Sequence, residues 1–160
     1  MIYGAILEKG EQYYTYLSKV FKAIGGTQTE YNWLITDCVC YPQSWDIHAM
    51  LSQEFCWLSG SELTEIVDKE DFQWVWGVLS GFEKDIALEN ILQHPLPYAD
   101  GYRGFWENPL SIQHPLASVE IVPWDSSLTL IFSKQEQMIK LFRRNLPLSE
   151  DLALYNARYS

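Results

Sequence analysis

The stretch FQWVWGVLSGF, Phe72 to Phe82, constrains this chain more than any other. Its residues alternate. Phe72, Trp74, Trp76, Val78 and Phe82 fall on one side of an extended backbone, with Ser80 as the exception; Gln73, Val75, Gly77, Leu79 and Gly81 fall on the other. A period of two predicts a strand, and so much aromatic surface on one side predicts that the strand packs on a core. Glycines on the opposite side predict a bulge or a closely packed neighbour.

The surrounding pattern mixes helices and strands. Ile2 to Leu7 and Tyr31 to Thr36 read as strands, the second continuing into DCVCY or pairing with it. Glu11 to Ile24 reads as a helix with Tyr14, Leu17, Val20, Phe21 and Ile24 on one face, ended by Gly25 and Gly26. Pro42 to Asp46 reads as a loop and His48 to Gln53 as one helical turn. Glu54 to Ser59 reads as a strand entering a helix, with Ser59 and Glu62 spaced for a capping box. Lys84 to Gln93 fits a short helix. Ser118 to Trp124 and Ser127 to Phe132 fit a hairpin turning at Asp125-Ser126, with Pro123 at an edge or an early strand end. Ser133 and Glu136 offer a second capping box, Pro147 a stop, and Ser149 a cap for a last short helix. This order predicts a single α+β domain over 1–160: a mostly antiparallel sheet with helices packed mainly on one face.

Between these elements runs an irregular segment from His94 to about Ala117, with Pro95, Pro97, Pro109 and Pro115. A loop this long in a compact domain is usually functional or poorly ordered. It is bracketed by two copies of QHPL, which hold His94 and His114. As a metal pair they lack co-ligands at any familiar spacing, and a residue before proline is confined to extended or turn conformations. They read as anchors at the two ends of the loop. Cys38, Cys40 and Cys56 match no common zinc spacing and read as small buried hydrophobes. No phosphate-cradling glycine loop, nucleophile elbow or metalloprotease motif is present. No catalytic residue, metal ligand or cofactor is therefore assigned.

Two features point to partners. The formal net charge is −10, and the first 133 residues hold six basic against 18 acidic side chains. Glu62, Glu65, Asp68, Glu70 and Asp71 crowd five acids into ten residues. Such a field repels nucleic-acid backbone and anionic membrane and attracts a basic protein. The second feature is YADGYRGFWENP, where Tyr98, Tyr102, Arg103, Phe105 and Trp106 are residue types that dominate binding hot spots. Odd cysteine usage, no secretion signal in MIYGAILEKG and no apolar run of membrane-spanning length predict a cytoplasmic protein with reduced thiols.

In YNWLIT, WLSGSELTEI and VEIVPWDSSLTLIFSKQEQMIKLF the chain resembles small acidic cytoplasmic bacterial proteins. In size, acidity and α+β build it resembles immunity proteins that neutralise contact-delivered toxins. That resemblance implies a non-enzymatic protein that occludes the active site of a basic toxin, such as a nuclease. The alternatives are a small hydrolase or metal-dependent enzyme using the 94–117 loop, and a sugar- or peptide-binding module using the aromatics of 98–109.

Overall fold

A computed structural model describes residues 1–159. Seven strands form one antiparallel sheet: β1 (Tyr3–Leu7), β2 (Tyr31–Cys40), β3 (Phe55–Ser59), β4 (Trp74–Glu83), β5 (Val119–Trp124), β6 (Leu128–Ser133) and β7 (Glu150–Asp151), in the order β3-β2-β4-β5-β6-β1-β7. The helices are α1 (Leu17–Ala23), α2 (Trp45–Leu51), α3 (Gly60–Lys69), α4 (Leu88–Ile91), α5 (Glu136–Asn145) and α6 (Leu152–Tyr159). The α+β class and the antiparallel sheet are as the sequence predicts.

Both faces of the sheet are buried, because its central strands carry apolar side chains on both sides. On the first face α1, α2, α3 and α5 pack Phe21, Leu51, Leu63 and Phe142 against Trp33, Ile35, Leu79, Ile121 and Ile131. On the second face Ile6, Val78, Val122, Leu130 and Phe132 meet Phe105, Leu110 and Leu152, while Leu34 and Phe82 meet Ile91 and Ala117. Four helices thus share one face. The other is closed by α4, α6 and the irregular segment between α4 and β5.

The alternation in β4 holds only in part. Residues Trp76, Val78 and Phe82 face the second side, but Trp74 lies in the first core, stacked on Phe72 with ring centroids 5.3 Å apart. The cause is a pair of register shifts against β2, between Thr36 and Val39 and between Val39 and Cys40. An extra residue in one strand turns every side chain beyond it to the opposite face. Gly81 lies opposite Trp33, whose ring atoms come within 3.0 to 3.3 Å of where its Cβ would stand, so a larger residue would displace the indole.

Further boundaries differ from the sequence pattern; α4 covers only Leu88–Ile91 of the helix expected over Lys84 to Gln93. Helix α1 begins at Leu17, not Glu11, because the backbone before it serves neighbours: Thr15 accepts from the Trp74 amide, Tyr16 bridges to Gln73, and Tyr14 accepts from the Thr129 hydroxyl. Ser133 ends β6 and accepts from the Gln135 amide, so α5 starts after it without a capping box. The last helix is capped by Asp151, which accepts from the Leu154 amide, while Ser149 donates to the Leu146 carbonyl. The box at Ser59 and Glu62 forms in full.

The first residue of α3 is packed against backbone. A Cβ on Gly60 would stand 2.1 Å from the Gln28 carbonyl oxygen, 2.6 Å from Thr29 Cα and 2.8 Å from the Tyr31 carbonyl oxygen. Main chain on three sides cannot yield as a side chain can. Gly60→Ala is therefore expected to destabilise the fold by at least ~2 kcal/mol in urea titration, whereas Ser61→Ala at the exposed next position stays within about 0.5 kcal/mol. Equal midpoints for the two variants would contradict this packing.

Candidate functional site

The five clustered acids divide into two sets. Glu62 completes the capping box by accepting from the Ser59 amide, and it remains exposed at the first turn of α3. Glu65 and Asp68 follow on the same outer face, opposite buried Leu63 and Val67, with no bonded partner shown. Glu70 and Asp71 act within the fold. The Glu70 carboxylate accepts from the backbone amides of Gln43 and Ser44, the latter at 3.1 Å, and Asp71 accepts from the Ser18 hydroxyl. The outward ridge is therefore Glu62, Glu65 and Asp68, and Glu70 ties the end of that ridge to the start of α2.

What Glu70 holds in place is a feature that sequence patterning missed. The stretch Pro42 to Asp46 is not all loop: Ser44 accepts from the Ile47 amide and caps α2, which begins at Trp45. Tyr41 and Trp45 are 75% and 81% exposed, with Trp45 edge-on to His48 at 5.8 Å. Tyr41, Pro42, Gln43, Trp45 and His48 line a shallow hollow of about 300 Å³. Only the apolar residues that α2 buries, Ile47 and Leu51, fit a hydrophobic stripe, so its outward tryptophan gave no periodic signal.

Charge is polarised along the sheet. Helices α2 and α3, with Asp46, Glu62, Glu65 and Asp68 against Lys69, pack beside β2 and β3 at one edge, and Glu70 and Asp71 follow directly after α3. Helix α5, with Lys140, Arg143 and Arg144 against one acid, Glu136, packs on β1 and β6 toward the other, where the short edge strand β7 adds Glu150 and Asp151.

The aromatic loop is mainly a lid on the second face. Phe105 is 0% exposed, against Phe132 and Tyr102, so it cannot touch a partner; this corrects its placement in a contact surface. Tyr102 and Trp106 are half-buried in the same cluster. Arg103 is exposed, and Tyr98 is 48% exposed with its ring edge-to-face on Tyr102 at 5.3 Å. Polar ties hold the segment down. The Gln113 side-chain amide brackets the Tyr98 backbone, donating to its carbonyl and accepting from its N–H. Asp37, which takes a left-handed φ of 50° at the bulge in β2, accepts from the Ala99 and Asp100 amides. Asn108 donates to the Ala153 carbonyl and Asn156 to that of Phe105.

The two QHPL histidines meet. Their rings stand 5.1 Å apart, edge to face. His114 is buried; its Nδ1 accepts from the Leu116 amide and its Nε2 lies 2.9 Å from the Ile91 carbonyl. Accepting at Nδ1 requires the neutral ring with the proton on Nε2, which then donates to Ile91. Burial first, then His94, pushes its pKa below the usual value, against the opposing pull of the Ile91 carbonyl. Both nitrogens are thus committed to backbone, which leaves none for a metal. Among the described residues no group of three His, Cys, Asp or Glu is arranged to hold a metal ion, and no helix is long and apolar enough to cross a membrane. The Cys38 and Cys40 sulfurs lie 3.6 Å apart; their mutual hydrogen bond, followed by burial, pushes the Cys38 thiol far up.

Beneath the lid lies Glu120, wholly buried in β5. Its Oε2 accepts from the Gln113 amide at 3.1 Å; its Oε1 has no partner, nor do the hydroxyls of Ser80, opposite it on β4, and of Thr36 on β2. On the outer side of the lid, Trp106, Trp124, Leu128, Tyr155, Asn156 and Tyr159 line an open groove of about 400 Å³. The chain matches no protein-family model, no curated protein and no solved structure.

Burial raises the Glu120 carboxyl from 4.5 to about 8, although the Gln113 amide pulls the other way. An acid raised on folding binds more protons folded than unfolded. Its contribution is therefore fully present below about pH 4.5 and is lost as pH rises through about 8. Glu120→Gln keeps the neutral shape without an ionisable group. Denaturant titration is expected to show the variant more stable than the parent by roughly 3–5 kcal/mol at pH 9 and close to it at pH 5. A difference independent of pH would contradict a buried neutral carboxyl.

Proposed function

We propose that this chain is a non-enzymatic cytoplasmic interaction protein, an immunity-type inhibitor that binds and neutralises a basic toxin domain such as a nuclease. The observation that carries the reading is the outward ridge of Glu62, Glu65 and Asp68 on α3, at the acidic end of a charge-polarised molecule. A nuclease active site is lined with cations that hold phosphate. A row of carboxylates on a rigid helix presents comparable negative charge without a scissile bond. The spacing suits the task, since residues three apart on a helix stand about one turn along the same face. Leu63 and Val67 anchor that helix to the sheet, so the charges need little ordering when a partner arrives.

A second reading, a small-ligand-binding module, draws on the groove lined by Trp106, Trp124, Tyr155 and Tyr159. Aromatic walls of this kind stack on flat ligands such as sugar rings. Asn156 also lines the groove, and its Oδ1 is buried with no hydrogen-bond partner.

The inhibitor reading is tested with the product of the reading frame adjacent to this gene. Co-expression of the two is expected to restore growth where that product alone arrests it. The double reversal Glu65→Lys, Asp68→Lys is expected to abolish protection and weaken the complex at least 100-fold by calorimetry, with thermal stability unchanged because both positions are exposed. Affinity unchanged by the reversal would remove the acidic ridge from the contact.

A further inference from the structure

We infer that the centre of the partner-binding surface is the pair Tyr41 and Trp45, and that it receives an arginine-bearing segment of a basic protein. The inference rests on the inhibitor reading and assigns its anchor. Most large aromatic side chains here are packed; Trp45 and Tyr41 are the most exposed aromatics, at 81% and 75%. The backbone between them is fixed by the fold. Ser44 caps α2, and Glu70 reaches across from the end of α3 to satisfy the Gln43 and Ser44 amides between the two rings. An exposed tryptophan on a frayed end would need no such bracing. Trp and Tyr on a preorganised turn supply contact area at low entropic cost, which is the make-up of a binding hot spot.

Charge selects the occupant. Asp46 follows Trp45 directly, Glu70 lies beneath the turn, Asp71 adjoins it, and the Glu62, Glu65 and Asp68 ridge continues along α3; Lys69 is the cation within this set, and His48 touches the Trp45 ring. A guanidinium is planar and weakly hydrated, so it stacks on indole while its edges donate to carboxylates. A second copy of this chain would bring the same negative charge against itself at this surface and is disfavoured.

The probe is a peptide of alternating arginine and glycine, with a matched peptide in which citrulline, uncharged but similarly shaped, replaces arginine. Affinity is measured by calorimetry, and the tryptophan indole N–H signals are followed by NMR. Expected are a shift of the Trp45 signal with the signals of Trp106 and Trp124 unmoved, and at least tenfold weaker binding for Trp45→Ala and for Tyr41→Ala. The citrulline peptide is expected to bind at least tenfold more weakly as well. Binding by Trp45→Ala within twofold of the parent, while Glu65→Lys, Asp68→Lys weakens it, overturns the aromatic anchor and leaves the acidic ridge standing. No binding of the arginine peptide at millimolar concentration overturns both. Equal binding of the citrulline peptide, or self-association in sedimentation that Trp45→Ala abolishes, overturns the cationic occupant.

Discussion

The constraint on which the molecule depends is that β4 and its neighbours are apolar on both sides. A sheet with one wet face would need one layer of helices. This one needs two covers, and four of the six helices go to the first. Between α4 and α6 the second face is closed by a segment with almost no regular structure, so its backbone amides and carbonyls have to find partners individually. The residues that provide them, Asp37, Gln113, His114 and Glu120, are polar side chains set at the margin of an apolar core. Their place in the fold follows from this geometry. A neutral histidine with both nitrogens on backbone and a carboxyl kept neutral by burial are both means of satisfying a loop that has no ladder of its own.

The same requirement separates the two surfaces that face outward. Because the 94–117 segment is held as a lid, its aromatics are spent on the core, Phe105 entirely and Tyr102 and Trp106 in part. The first face is sealed by α1, α2, α3 and α5, whose outer sides face away from the sheet and hold charge. Topology then sorts that charge. Acid-rich α3, with α2 beside it, follows β2 and β3 at one edge, and cationic α5 follows β6 near the other. An approaching cation meets a directed field, not a uniform negative shell.

Local signals in the sequence were legible where a single element settles them. The strand character of FQWVWGVLSGF, the Ser59 and Glu62 box, and the Asp125-Ser126 turn, both residues at positive φ, could all be read from side-chain type and spacing. Features that depend on a second element could not. The bulges that turn Trp74 away from Trp76 exist only in the pairing of β4 with β2, and α1 starts late because β4 and β6 claim the backbone before it. The acidic cluster was visible as composition, yet which acids are tied into the fold depended on Glu70 and Asp71 finding partners 26 or more residues away. Trp45 lay in a stretch read as loop, since an outward aromatic on a two-turn helix leaves no periodicity behind.

The central claim is that directed negative charge, presented on rigid helices, brings a basic partner to this protein. Its most direct test is the association rate with that partner across ionic strength, by stopped flow from about 20 mM to 500 mM salt. Electrostatic steering predicts an association rate that falls at least tenfold over this range while the dissociation rate changes little. An association rate indifferent to salt would contradict the account.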